Sequence, residues 1–151
     1  MAGSRSYVGE NNAQRERLRA LVTRLSDDDL TRPLGAGWTI AAVLAHLTFW
    51  DQRTLVLIEG WKGTPHAPAP RTIDQNDVDW INDSAKALCL ALPPRTAARL
   101  ALATAEAVDR AVEELSDAQV AANTAAGRPL NLFRAEHRRE HLDEIDLALR
   151  K

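Results

Sequence analysis

Cysteine is nearly missing from this sequence: Cys89 stands alone, so no internal disulfide is available. A surplus of positive charge is missing too. The net charge is -2 and the arginines are interspersed with acids rather than gathered in a block, which removes the electrostatic footprint of a nucleic-acid partner. Long apolar runs are absent. The stretch from Thr39 to Trp50 is too short to span a bilayer and is interrupted by His46, so no membrane partner is expected. Met1-Ala2-Gly3-Ser4-Arg5-Ser6 has no apolar run behind it to act as a signal peptide, and the expected location is a reducing cytoplasm. No segment alternates apolar and polar residues as a half-buried strand would.

What remains is helical periodicity. With 45% hydrophobic and 26% charged residues, the 151 residues suit one domain, 1–151, with a sizeable core. Leu18, Leu21, Val22 and Leu25 form the stripe of an amphipathic helix over about residues 8–25. Ser26 is placed to cap a short turn, Asp27-Asp28-Asp29. These three acids look like a metal box, but consecutive residues on a turn point in different directions, and they read as acids at a helix N-terminus facing water. Gly35 and Gly37 then open a loop. Thr39 is the expected N-cap of a second long helix, with apolar positions 40, 43, 44, 47, 55 and 58 and Gly60 as its stop.

Pro65, Pro68 and Pro70 exclude regular helix and mark a surface crossover in which His66 reads as solvent-exposed. Helical spacing returns from Asp74 to Leu92 through Trp80, Ile81, Ala85, Leu88 and Cys89, where the cysteine reads as a buried core thiol; Pro93-Pro94 closes the segment. A third long helix covers about Arg95 to Leu115, its seam at 97, 101, 104, 108, 111 and 115 being rich in alanine, which brings neighbouring helices close. After the Gly127-Arg128-Pro129 loop, a fourth starts at Pro129 or Asn131, with Leu130, Phe133, His137, His141, Ile145 and Ala148 along its inner face. Leu25-Ser26-Asp27 with Arg32-Pro33-Leu34 is echoed by Leu115-Ser116-Asp117 with Arg128-Pro129-Leu130, a hint of two helical hairpins.

The chemistry concentrates in histidine. His137 and His141 are four apart, on one helical face, in the arrangement of a bidentate metal clamp. Both lie on the apolar edge of their helix, where an unpaired imidazole is costly to bury. His46, from another helix, supplies the third nitrogen of an open site that suits zinc, nickel, copper or iron. Asp51, Glu140 and Glu144 are close enough in sequence to hold the distal ring nitrogens. His137-x-x-Glu140-His141 also fits the inverzincin peptidase signature. That family takes an acidic third ligand well downstream of the motif, and the sequence ends shortly after His141.

Trp38-Thr39, Ala45-His46-Leu47, Phe49-Trp50-Asp51 and His137-x-x-x-His141 together resemble the DinB/YfiT superfamily, which includes the N-terminal domain of mycothiol-dependent maleylpyruvate isomerases. The resemblance implies an all-α fold, a four-helix bundle of up-down-down-up topology with a long crossover between its second and third helices. It implies zinc or nickel on His46, His137 and His141, and thiol-dependent transfer or isomerisation with mycothiol, bacillithiol or glutathione. A thiol of this kind carries carboxylates, for which Arg53, Arg134 and Arg138 are the expected cations at the mouth of the site. The expected partners are a small-molecule thiol and an electrophile, and the expected assembly is a homodimer. A non-catalytic metal-stabilised binding or stress-response module is the competing reading. No residue receives a catalytic role from the sequence.

Overall fold

The stripe of Leu18 and Leu21 is buried along α1 (Tyr7–Arg24), and Leu25 closes it. The computed structural model describes residues 5–62 and 72–151; His66 and the prolines around it lie outside them. Ser26 and Asp29 exchange hydrogen bonds at the start of α2 (Asp27–Leu30): the Ser26 hydroxyl accepts from the Asp29 N–H at 3.1 Å, and the Asp29 carboxylate accepts from the Ser26 N–H at 3.0 Å. The same box, Ser116 with Gln119, opens α6 (Asp117–Ala125). The repeated Leu-Ser-Asp therefore marks two helix starts.

Between α2 and the next helix the chain makes a small antiparallel hairpin, β1 (Pro33–Gly35) with β2 (Trp38–Thr39), where the sequence reads as a loop. Its turn takes Gly35, Ala36 and Gly37 through positive φ (110°, 49° and 80°), which explains the two glycines. The Thr39 hydroxyl then accepts from the Ala42 N–H at 3.1 Å and starts α3 (Ile40–Lys62). Gly60 does not stop this helix. Ile58 and Trp61 are both buried, and that burial offsets the roughly 1 kcal/mol that an interior glycine costs.

Helix α4 (Gln75–Ala91) begins with a second kind of box, Asp74 with Asp77, and ends where Leu92 turns extended before Pro93. Its apolar stripe is not a core stripe. Among the described residues of α4 only Cys89 is buried, while Trp80 and Leu88 are 59% and 67% exposed. Helix α5 (Pro94–Glu113) starts on a proline, and the whole expected seam, Ala97, Ala101, Thr104, Val108, Ala111 and Leu115, is buried. Helix α7 (Ala135–Leu149) starts later than Pro129 or Asn131. The Asn123 side chain engages the Leu130 backbone instead, donating to its carbonyl at 2.9 Å and accepting from its N–H at 3.0 Å, and Arg128 has a φ of 60°.

Ion pairs register the long helices. Arg15 with Asp109 and Arg19 with Glu106 set α1 antiparallel to α5, whereas Glu10 with Arg139 and Arg17 with Asp146 set α1 parallel to α7. Lys62 with Glu114 joins the C-terminal ends of α3 and α5. The apolar core falls into two clusters. One gathers residues such as Leu18, Leu44, Leu47, Ala105, Leu142 and Ile145; the other holds Ile58, Trp61, Ala111, Val112, Leu115, Leu130 and Leu132. In α3, Asp51 falls between Leu47 of the first and Ile58 of the second; in α5, Asp109 falls between Ala105 and Ala111. A layer of charge separates two layers of hydrocarbon. Among the described residues no helix is long and apolar enough to cross a membrane.

Candidate metal centre

His46 comes from the first half of α3, and His137 and His141 from the first half of α7. Their rings form a nearly equilateral triangle with centroid separations of 5.0, 4.9 and 4.8 Å, each pair edge to face. Each ring offers one nitrogen, and the three lie within 4.8 Å of one another, so the triad can hold a metal ion. Trp38, delivered by the hairpin, packs its ring edge to face against His46 at 5.7 Å.

The electrostatics favour the form a metal requires. Burial, reinforced by His141, pulls His46 from its ordinary 6.5 to about 4. Burial, with His141, His46, Arg134 and Arg138 adding repulsion, pulls His137 to about 2. Both imidazoles are neutral at pH 7, the state that coordinates metal. Their Nε2 atoms are 3.1 Å apart. Two imidazole nitrogens bound at about 2.0–2.1 Å to one ion, at tetrahedral to right angles, stand about 2.9–3.4 Å apart, so this spacing fits. Without an ion, a proton on one of the two rings must sit between them, since two lone pairs at that distance repel. The Nδ1 of His141 is buried without a hydrogen-bond partner; the Glu144 carboxylate lies 3.5 Å away, within ion-pair distance but not aligned.

Two expectations need correction. Arg138 does not stand at the mouth of the site. It is 1% exposed, and its guanidinium donates two 2.8 Å bonds to Asp109, one of 3.2 Å to Asp51 and one of 3.3 Å to the Asn11 carbonyl. A single residue step on a helix is about 100° of rotation, so Arg138 lies on a different side of α7 from His137, the side turned to Asp51 and Asp109. Asp51, expected to hold a histidine, instead accepts from Arg138 and from Arg134 Nε at 2.9 Å. Arg134 is itself buried by that pair, though it still lines a cleft beside the triad.

Two clefts open onto the histidines. The larger, about 750 Å³, is bounded by Trp38, His46, His137 and His141 and, on its far wall, by Gln75, Val78, Asp79, Asn82 and Asp83. That wall is a single face of α4, at the spacing i, i+3, i+4, i+7, i+8. The smaller, about 400 Å³, adds Trp50, Arg53 and Arg134, and Glu140 borders both. Helix α4 is held over the site where Trp50 donates from Nε1 to Asn82 at 2.8 Å. Arg53 lies 5.7 Å from the Trp50 ring and has no ion pair among the described residues; burial and the neighbouring Arg134 lower its affinity for a proton. The apolar spacing of this segment places Cys89 in the core, where it lies, but does not mark the lining face, for which the polar periodicity of 75, 79, 82 and 83 is the signal.

Comparison with known proteins gives one finding. The family described as the DinB superfamily matches over residues 10–145. No curated protein and no solved structure matches.

Proposed function

This chain belongs to the DinB superfamily, and from that premise we propose that it is a metal-dependent thiol S-transferase or isomerase acting on small electrophiles. His46, His137 and His141 hold one divalent transition metal, zinc or nickel, and the thiol is of the mycothiol or bacillithiol type. When bound, the metal supplies Lewis-acid chemistry that favours the thiolate over the thiol at neutral pH. The chain's own residues do the rest. Arg53 and Arg134 receive the carboxylates of the thiol in the smaller cleft, and Trp50 and Ile73 wall it. The Glu140 carboxylate, which borders both clefts, takes up the thiol proton. The larger cleft admits the electrophile between Trp38 and α4.

The observation that carries this reading is the openness of the triad: three imidazole donors face cleft space, and among the described residues no fourth ligand closes the set. A structural site would be closed. The test is thiol conjugation to a panel of electrophiles by metal-loaded protein and by His137→Ala. A rate that depends on His137 supports the transferase; equal rates, or no thiol binding detectable by absorption of the cobalt-substituted protein, leave the non-catalytic binding or stress-response module.

A further inference from the structure

Arg138 of α7 is the one guanidinium among the described residues that reaches three other helices: α1 through the Asn11 carbonyl, α3 through Asp51 and α5 through Asp109. Arg15 of α1 adds a 2.8 Å bond to Asp109, and Asn11 ties down the start of α7, accepting from the Ala135 N–H at 2.8 Å. A buried ionic layer of this kind is a weak source of net stability, because desolvating the charges cancels most of their attraction. Its value lies in the geometry that it enforces.

That geometry concerns the histidines. Arg134 and Arg138 are four apart and face Asp51; His137 and His141 are four apart and face His46, and the two faces, offset by three residues, differ by about 60° of helix rotation. On α3, His46 and Asp51 stand about 7.5 Å apart along the axis. Each helix therefore carries one half of an ionic clamp and one half of the triad. Closing the clamp fixes both the rotation of α7 and its height against α3, the two variables that decide whether three ring nitrogens meet.

We infer that Asp51 is a positioning residue for the metal centre, acting through Arg134 and Arg138 to hold His137 and His141 against His46. The inference rests on the metal reading above. Asp109 binds the same Arg138 but belongs to α5, which contributes no histidine, and this separates positioning from mere stability. Asp51→Asn and Asp109→Asn each remove one carboxylate charge from the same layer.

The experiment measures zinc affinity by chelator competition, and the visible spectrum of the cobalt(II)-substituted protein, for the full chain and both variants, with helicity and melting temperature alongside. Asp51→Asn is expected to weaken zinc binding about tenfold and to shift the cobalt spectrum. Asp109→Asn is expected to lower the melting temperature while leaving the affinity and spectrum close to those of the parent. Parental affinity in Asp51→Asn, or equal losses in the two variants tracking their loss of stability, overturns the inference while leaving the metal site standing. Absence of zinc binding by the parent overturns the metal reading and this inference with it. If Asp51→Asn does not fold, Arg134→Gln, which removes one of the two clamp bonds and keeps Arg138 in place, carries the same test: weakened zinc binding supports positioning, and unchanged affinity overturns it.

Discussion

His46 and His137 are separated by 91 residues, yet their Nε2 atoms face each other at 3.1 Å across two helices. With His141 they form one donor set, so each single His→Ala change at 46, 137 or 141 is expected to abolish stoichiometric binding of a divalent metal, and His66→Ala to leave it intact. Metal content and affinity of the four variants decide this. Full retention by His46→Ala would reduce the site to a clamp on α7 alone.

Chelation is expected to lower the melting temperature without removing the helical signal. The two apolar clusters do not involve the histidines, and each fully buried leucine or isoleucine contributes roughly 1.5–3 kcal/mol. Metal adds stability by linkage, about 2.7 kcal/mol at a hundredfold excess over Kd. Circular dichroism before and after chelator checks it; loss of helix on chelation would make the metal structural.

The metal-free protein is expected to lose stability as pH falls below neutrality. His46 and His137 resist protonation in the folded state, at about 4 and about 2, whereas the unfolded chain protonates them near 6.5. Their contribution is full above 6.5 and is lost progressively as pH falls from there, through about 4 for His46 and onward for His137. The slope is at most about 1.4 kcal/mol per pH unit per histidine. Urea unfolding at pH 7 and pH 5 measures it, and His137→Gln should flatten the dependence; stability independent of pH over this range would contradict the burial of the two rings.

Arg53→Gln is expected to weaken thiol binding about tenfold, the loss of one charge-assisted pair, with metal content unchanged. Quenching of Trp50, which lines the same cleft, reports the titration. Unchanged thiol affinity would move the carboxylate seat elsewhere.

Glu140→Gln is expected to slow thiol conjugation at neutral pH by about 10²-fold while leaving the metal and thiol affinities in place. A variant as fast as the parent would remove Glu140 from proton transfer.

Helix periodicity makes the all-α fold and the triad legible in the sequence. Leu18, Leu21 and the seam of α5 announce their burial by three-four spacing, and two histidines at i and i+4 need no tertiary information to share a face. What stayed hidden depends on distant partners. The burial of Arg138 rests on Asp51, 87 positions away, and on Asp109; nothing local distinguishes it from Arg139 beside it, whose side chain is 43% exposed. The hairpin is too short for a period-2 pattern to register, its strands being three and two residues long. In α4 the spacing reported amphipathicity correctly, but amphipathicity does not say which face meets the bundle. Cys89 and Ala85 meet the core, while Gln75, Asp79 and Asp83 border the cleft and stay exposed.

The hold of α4 on the bundle is correspondingly unusual. Cys89 is its one buried residue among those described, while Trp50 grips Asn82 and Lys86 donates to the Ala36 carbonyl at the hairpin turn. A segment that adds so little buried hydrocarbon to its hydrogen bonds opens at low free energy, so its amides should exchange with deuterium ahead of those in α3 and α5. Exchange in α4 as slow as in α3 and α5 would show that the wall of the larger cleft is fixed, and that a molecule reaching the histidines must fit the space it already leaves.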